Sequence, residues 1–388
     1  MGIYEELEVT PIINACGYVT RFSGSLMLPE VVEAMVEASK VYVSIAELQE
    51  AAGSIIAEYT GAESGYVTSG AAAGLTLAAA SCIAGNDRDR IARLPDTGDA
   101  PNEIVIPGPH RDSYDRCFRL CGARIVMAGS PDQCTADDLA AAIGERTAAV
   151  AWFSAYEQVS LPLAEVVRIA HAAGTRVIVD AAVALPPPEN LRRFVETGAD
   201  LVSFSGGKDL RGPQTSGFLA GSKELMQSVA LQHQDFAAYN GTWDPESEFL
   251  GPGHGIGRPM KVGKEELAGL LVALRLYVER DHAAEDEQQA AGARLVASRL
   301  AEFPGMTVET GRSHTPGHFV RVTLEPQAGG PTARQIAAEL ANGKPRIMVA
   351  PAFFNEDLEF TIGFATLQPG EAETIAERLV EVFARERR

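Results

Sequence analysis

Apolar positions along the chain fall into two rhythms. Between residues 65 and 220, short runs rich in apolar residues recur at 66–68, 103–107, 124–127, 147–153, 175–179, 201–204 and 216–220. Runs of this length without polar alternation predict strands buried on both faces. Helical spacing fills the gaps at 71–84, 111–121, 163–173 and 189–197, with Gly85 and Gly174 placed to stop two of these helices. Two more helices are expected earlier, at 29–40 opened by Pro29 and at 46–60 closed by Gly61. Seven strands alternating with helices predict an α/β domain with a mostly parallel seven-stranded sheet.

The rhythm changes after residue 222. A helix at 223–232 precedes a glycine- and aromatic-rich loop, 235–261, and a long helical region from 264 to 302 breaks near 281–287. The tail then mixes strands (318–324, 346–350, 358–364) with helices (332–342, 371–385), the pattern of a smaller α+β domain. Three regions are expected: an irregular N-terminal segment 1–25, a large α/β domain 26–260, and 261–388 as a linking helix with the small C-terminal domain.

Composition narrows the function. The 388 residues are 46% hydrophobic and 22% charged, as in ordinary soluble proteins. A net charge of −19 argues against nucleic-acid and anionic-membrane partners. No apolar run approaches the roughly 20 residues of a membrane span, and the acidic start MGIYEELEVT lacks a signal-peptide pattern, so a cytoplasmic protein is expected. Cysteines 16, 82, 117, 121 and 134 form no C-x-x-C pair and no zinc spacing; buried reduced thiols and no metal are expected.

The stretch SFSGGKDLRG sets Lys208 just past the strand 201–204. A phosphate loop would need glycine and Ser/Thr where Val202 and Asp209 stand, and GPGHGIG at 251–257 neither follows a strand nor opens a helix. A lysine at a strand end can also reach solvent. Asp180, however, ends the preceding strand, and ligands of open α/β sheets sit outside the strands' carboxyl ends. A lysine that forms a Schiff base and an acid that keeps a pyridine nitrogen protonated are what pyridoxal 5′-phosphate requires. Ser69-Gly70-Ala71-Ala72, between a strand and a helix, suits the phosphate, with Ser205 adding a hydroxyl. The glycines beside Lys208 are read as letting a flat cofactor approach the backbone.

These residues stand in motifs with a family likeness. INACGYVTRFSGSLMLPEVVEAM, AAGSIIAEYTGAESGYVTSGAAAGLTLAAA, VIVDAAVALPPPENLRRF, LVSFSGGKDLRGPQTSGFLAG and IGRPMKVGKEE resemble bacterial selenocysteine synthase and its tRNA-independent relatives. The resemblance is strongest to the D-glucosaminate-6-phosphate ammonia-lyase-like branch. It implies the fold type I pyridoxal-phosphate transferase fold, with Lys208 as the Schiff-base lysine, Asp180 as the pyridinium partner, Ser69–Ala72 with Ser205 around the phosphate, and His110 over the cofactor ring. It also implies a homodimer or higher homo-oligomer. The chain starts directly at the core, without the tRNA-binding N-terminal domain of selenocysteine synthase, which with its acidity argues against a tRNA substrate.

The reaction expected is α,β-elimination of the ammonia-lyase or dehydratase type on a hydroxy- or phospho-substituted amino acid. Racemisation or epimerisation is the alternative, ahead of transamination, selenium transfer to tRNA, or a non-catalytic binding role. Arg21, Arg258, Lys261 and Arg346 are candidates for an anionic substrate group, although each also fits a solvated charge. Arg211 and Lys264 are further basic neighbours. Asp209 and Arg211 face either the substrate or each other, and Phe353 and Phe354 line a pocket or fill the small-domain core.

Overall fold

The computed structural model describes residues 2–233, 254–312, 317–325, 331–351, 355 and 357–385. Phe353, Phe354 and most of the 235–261 loop lie outside the described residues. Among the described residues twelve strands occur in chain order: β1 (Ile12–Ala15), β2 (Ser64–Thr68), β3 (Glu103–Pro107), β4 (Arg124–Ala128), β5 (Thr147–Phe153), β6 (Arg176–Asp180), β7 (Leu201–Ser205), β8 (Gly217–Gly221), β9 (Met306–Arg312), β10 (His318–Leu324), β11 (Arg346–Pro351) and β12 (Glu359–Gly363). They form two sheets, in two compact units: Met27–Arg280, and Met1–Leu26 with Asp281–Arg388.

The larger sheet has seven strands in the order β2-β8-β7-β6-β5-β3-β4. β8 runs antiparallel to both of its neighbours, and the other six share one direction. Side chains alternate across a strand, so β5 sends Val150 and Trp152 into one core and Ala149, Ala151 and Phe153 into the other. Helix Ala71–Ala84 is apolar all round and almost wholly buried on the second face. Among the described residues no helix is long and apolar enough to cross a membrane.

The smaller sheet, ordered β1-β11-β12-β10-β9, has its own core, to which helices His282–Leu300, Ala333–Asn342 and Glu371–Arg385 contribute. Two corrections arise in the first 25 residues, expected to be irregular: they contain helix Ile3–Glu6 and β1, which pairs in parallel with β11. The long helical region breaks between Glu279 and His282.

A helix expected at 111–121 is mostly absent. A 3-10 turn at Gly108–His110 and a short helix, Asp115–Arg119, stand there instead. The cause is local: Asp112 Oδ1 accepts the Tyr114 amide at 2.6 Å, a side-chain turn that competes with helix formation. Cys121 therefore lies beyond the helix that contains Cys117. All five cysteines are free, and burial pushes the Cys121 and Cys82 thiols up to about 12.

Candidate active site

Strand alternation puts the acid and the hydroxyls on one face of the sheet. In β6, Val177 and Val179 enter one core and Ile178 the other; Asp180 keeps the parity of Ile178. In β7, Ser203 and Ser205 keep the parity of Leu201, on the same side. Helix Ala71–Ala84 covers that side, and Ser203 Oγ donates to Ala71 O at 3.0 Å. A Cβ at Gly74 would collide with Ser203 Oγ, so glycine sets how closely helix and strand approach.

The start of this helix is shaped by two glycines. Gly70, the N-cap, has φ 136°, a conformation costly for any other residue. A Cβ at Gly217 of β8 would lie 2.7 Å from Gly70 C and 2.8 Å from Ala71 N. Because the N-cap has no side chain to accept from them, the amides of the first turn have no intrahelical acceptor and can bind an anion. Ser69, half-buried, and Ala72, exposed, flank them.

Lys208 follows β7 in a tight turn in which Arg211 N donates to Lys208 O at 2.9 Å, with Arg211 at φ 56°. The glycines before it serve the chain itself. Gly206 N donates to Ser216 O at 2.8 Å, and a Cβ at Gly207 would meet Gln214 Cα at 2.6 Å. They admit the returning 213–216 segment. The Asp209 carboxylate pairs with Arg280 at 3.4 Å, both side chains buried.

Asp180 is 9% exposed, and its Oδ1 accepts the Ala182 amide at 2.8 Å. Burial pushes its carboxyl up from 3.8 to about 6, opposed by the Ala182 amide and the Lys208 charge, while Asp112 adds to the rise. Burial also lowers Lys208, with Asp180 opposing. The two sense each other's charge yet close no ion pair among the described residues.

His110 lies past the end of β3, fully buried. Its Nδ1 accepts the Phe153 amide at 2.9 Å, so the proton of the neutral ring belongs on Nε2. Burial pushes this histidine down to about 4, opposed by the Tyr156 main chain, which favours its proton. Nε2 has no hydrogen-bond partner among the described residues. Neither has Ser154 Oγ, buried just past β5. Ser154 escapes the sequence analysis, although the rule that found Asp180 (look past each parallel strand's carboxyl end) applies equally to it.

The substrate candidates are not gathered on one unit. Arg258 opens the turn Arg258–Met260, which is anchored where His233 Nε2 meets Met260 O at 2.9 Å and Tyr66 OH meets His233 Nδ1 at 3.0 Å. Lys261 beside it is exposed, and Lys264 pairs with Glu265. Arg21 and Arg346 belong to the other unit. Arg21 is exposed, 5.6 Å from the Phe22 ring centre; Arg346 Nε donates to Ala341 O at 2.9 Å.

The chain is similar to several known proteins. Residues 12–236 match the family model described as "SelA: L-seryl-tRNA selenium transferase". A 5′-C-glycyluridine monooxygenase-decarboxylase from Streptomyces sp is 36% identical, covering 98% of this chain and 92% of its own. D-glucosaminate-6-phosphate ammonia lyase from Salmonella typhimurium is 33% identical, covering 98% of both chains. A solved structure of D-glucosaminate-6-phosphate ammonia-lyase superposes with a TM-score of 0.82 at 31% identity, covering all of both chains. A serine palmitoyltransferase from S. paucimobilis with PLP–myriocin bound shares the fold alone, at 16% identity and a TM-score of 0.58, over 96% of this chain and 87% of its own.

Proposed function

Because the chain belongs to the L-seryl-tRNA selenium transferase family, we propose that it is a pyridoxal-phosphate lyase acting by α,β-elimination on a hydroxy- or phospho-substituted amino acid. Its fold is the type I fold of pyridoxal-phosphate enzymes. The observation that carries the proposal is the convergence of Lys208 and buried Asp180 in one crevice, within a chain alike over its full length to an ammonia-lyase.

The crevice fits the cofactor. It has a lysine, a buried acid that senses the lysine's charge, and helix-start amides without acceptors at Gly70. When bound, pyridoxal phosphate supplies a sink for the negative charge that develops at the substrate's Cα. Lys208 would hold it and take the Cα proton, and burial favours the neutral amine that both tasks need. Asp180 would stay beside the pyridine nitrogen. The Ala71 and Ala72 amides, with the Ser69 and Ser205 hydroxyls, would bind the phosphate at Gly70. His110, kept neutral by burial, would flank the ring without adding charge.

Arg21, Arg258, Lys261 and Arg346 would supply the cation for a substrate carboxylate or phosphate, with the 1–25 segment reaching the site in the assembled enzyme. A net charge of −19 disfavours a polyanionic tRNA and favours a small substrate, processed in the cytoplasm. We test the reaction by incubating the loaded protein with D-glucosaminate 6-phosphate, serine and phosphoserine. Equal amounts of 2-keto acid and ammonia are expected. A second reading follows from the 36% identical monooxygenase-decarboxylase: oxygen uptake with carbon dioxide release, and no keto acid, would replace elimination.

The assembly is expected to be a homodimer or larger. Val32, Val36, Val41, Tyr42 and Val43 are all exposed, and Val32 and Val36 share one face of helix Pro29–Ala38. Light scattering should give at least twice the monomer mass, and charged replacements at Val36 and Tyr42 should lower it. A monomer with full activity would overturn this.

A further inference from the structure

Loss of a β-hydroxyl needs a proton donor as well as a base, since hydroxide leaves poorly and water leaves well. Lys208 is the base in the reading above. We propose that Asp112 is the catalytic acid that protonates the departing β-oxygen, an assignment that rests on the elimination reading.

Asp112 stands two residues past His110, half-buried and near enough to Asp180 for its charge to act there. Its Oδ1 accepts the Tyr114 amide at 2.6 Å and its Oδ2 accepts the Tyr156 hydroxyl at 3.2 Å. The Tyr156 ring lies 5.8 Å from the ring of His110, whose Nδ1 takes the Phe153 amide, and Phe153 is the cross-strand partner of Asp180. Asp180, Phe153, His110, Tyr156 and Asp112 thus form one continuous wall. His110 is buried in this wall, between the Phe153 amide and the Tyr156 main chain.

The charged surroundings suit an acid. Asp180 and Asp115 are the acidic neighbours; Tyr114, Tyr156 and Cys117 are the other titratable groups in the cluster. Arg111, the nearby cation, is engaged by Asp115 at 2.5 Å. Burial first, then Asp115, hold the Asp112 proton more tightly than in an ordinary carboxyl, against the Tyr114 amide and the Tyr156 hydroxyl.

The step balances without a further reactant. The Cα–H bond breaks, its proton goes to the Lys208 amine, and its electron pair forms the Cα–Cβ double bond. The Cβ–O bond breaks with its pair on oxygen, which takes the Asp112 proton and leaves as water. Lys208 ammonium then returns a proton through solvent to the Asp112 carboxylate.

The test compares leaving groups in the loaded full-length Asp112→Asn protein. With D-glucosaminate 6-phosphate or serine, kcat should fall about 10²- to 10⁴-fold, the usual worth of general acid catalysis. With β-chloroalanine, whose chloride needs no proton, it should change by less than about threefold, and solvent deuterium should still enter at Cα. In the cofactor-free variant, ultraviolet difference titration should show the Tyr156 phenol ionising at lower pH than in wild type. Equal losses on both leaving groups, no loss on either, or unmoved phenols would overturn the assignment. A wild-type protein that eliminates neither hydroxide nor chloride would refute the elimination reading itself, before the variant is compared.

Discussion

Replacing Lys208 by alanine is expected to remove the visible absorption that wild-type protein gains on addition of pyridoxal phosphate. It should also lower keto-acid formation by about 10⁴-fold or more, since general base catalysis alone contributes up to about 10⁴-fold and the covalent anchor goes too. The fold should survive. Burial already disfavours the Lys208 cation, and its main-chain turn, Arg211 N to Lys208 O at 2.9 Å, needs no side chain. A Lys208→Ala protein that still takes up the cofactor with the wild-type spectrum and turns substrate over would dismiss Lys208 from its role. A variant that binds cofactor more weakly, keeps its thermal stability and is inactive is the outcome the structure supports.

Asp180→Asn should separate stability from activity. The Asp180 carboxyl is raised from 3.8 to about 6, chiefly by burial. Between those values the folded protein keeps a proton that the unfolded chain has released. Stability therefore falls as pH rises through this window, by roughly 3 kcal/mol once it is passed. Asparagine carries no charge to bury and keeps an oxygen for the Ala182 amide. Cofactor-free Asp180→Asn should thus melt several degrees above wild type at pH 8 and about level with it at pH 4. The loaded variant should lose at least about 10²-fold in kcat, because a neutral amide does not hold the pyridine nitrogen protonated. Equal melting curves at pH 8 would show that the carboxylate is already compensated in the unloaded crevice.

Much of the fold is legible in the chain. Strands at 103–107, 147–153 and 318–324 and helices at 71–84 and 371–385 have the expected limits, because apolar-rich runs, the alternation at 318–324 and stop residues are local signals. Helix Ala136–Ala142 was legible but missed; Thr135 and Asp138 form its capping box. Two strands were not legible. β1 has four residues and a partner that starts at Arg346, and β9 is an edge strand, Met-Thr-Val-Glu-Thr-Gly-Arg, too polar to stand out. At 111–121 a helical pattern yielded to side-chain hydrogen bonds on the crevice wall.

The sequence alone placed an acid and a lysine at the ends of successive strands, and a glycine before an apolar helix, because strand ends and helix starts are written in short windows. Tertiary structure decided what each residue faces. The order β2-β8-β7-β6 brings Gly70 against Gly217 and carries the helix start to the Lys208 side of the sheet. Asp209 turns to Arg280, 71 residues on, and Asp112 to Tyr156, 44 residues on. Gly206 and Gly207 make room for the chain's own return, while His110 keeps one ring nitrogen free of any described partner. Such roles depend on which hydrogen-bond and charge partners survive desolvation, and folding brings those partners from distant parts of the chain.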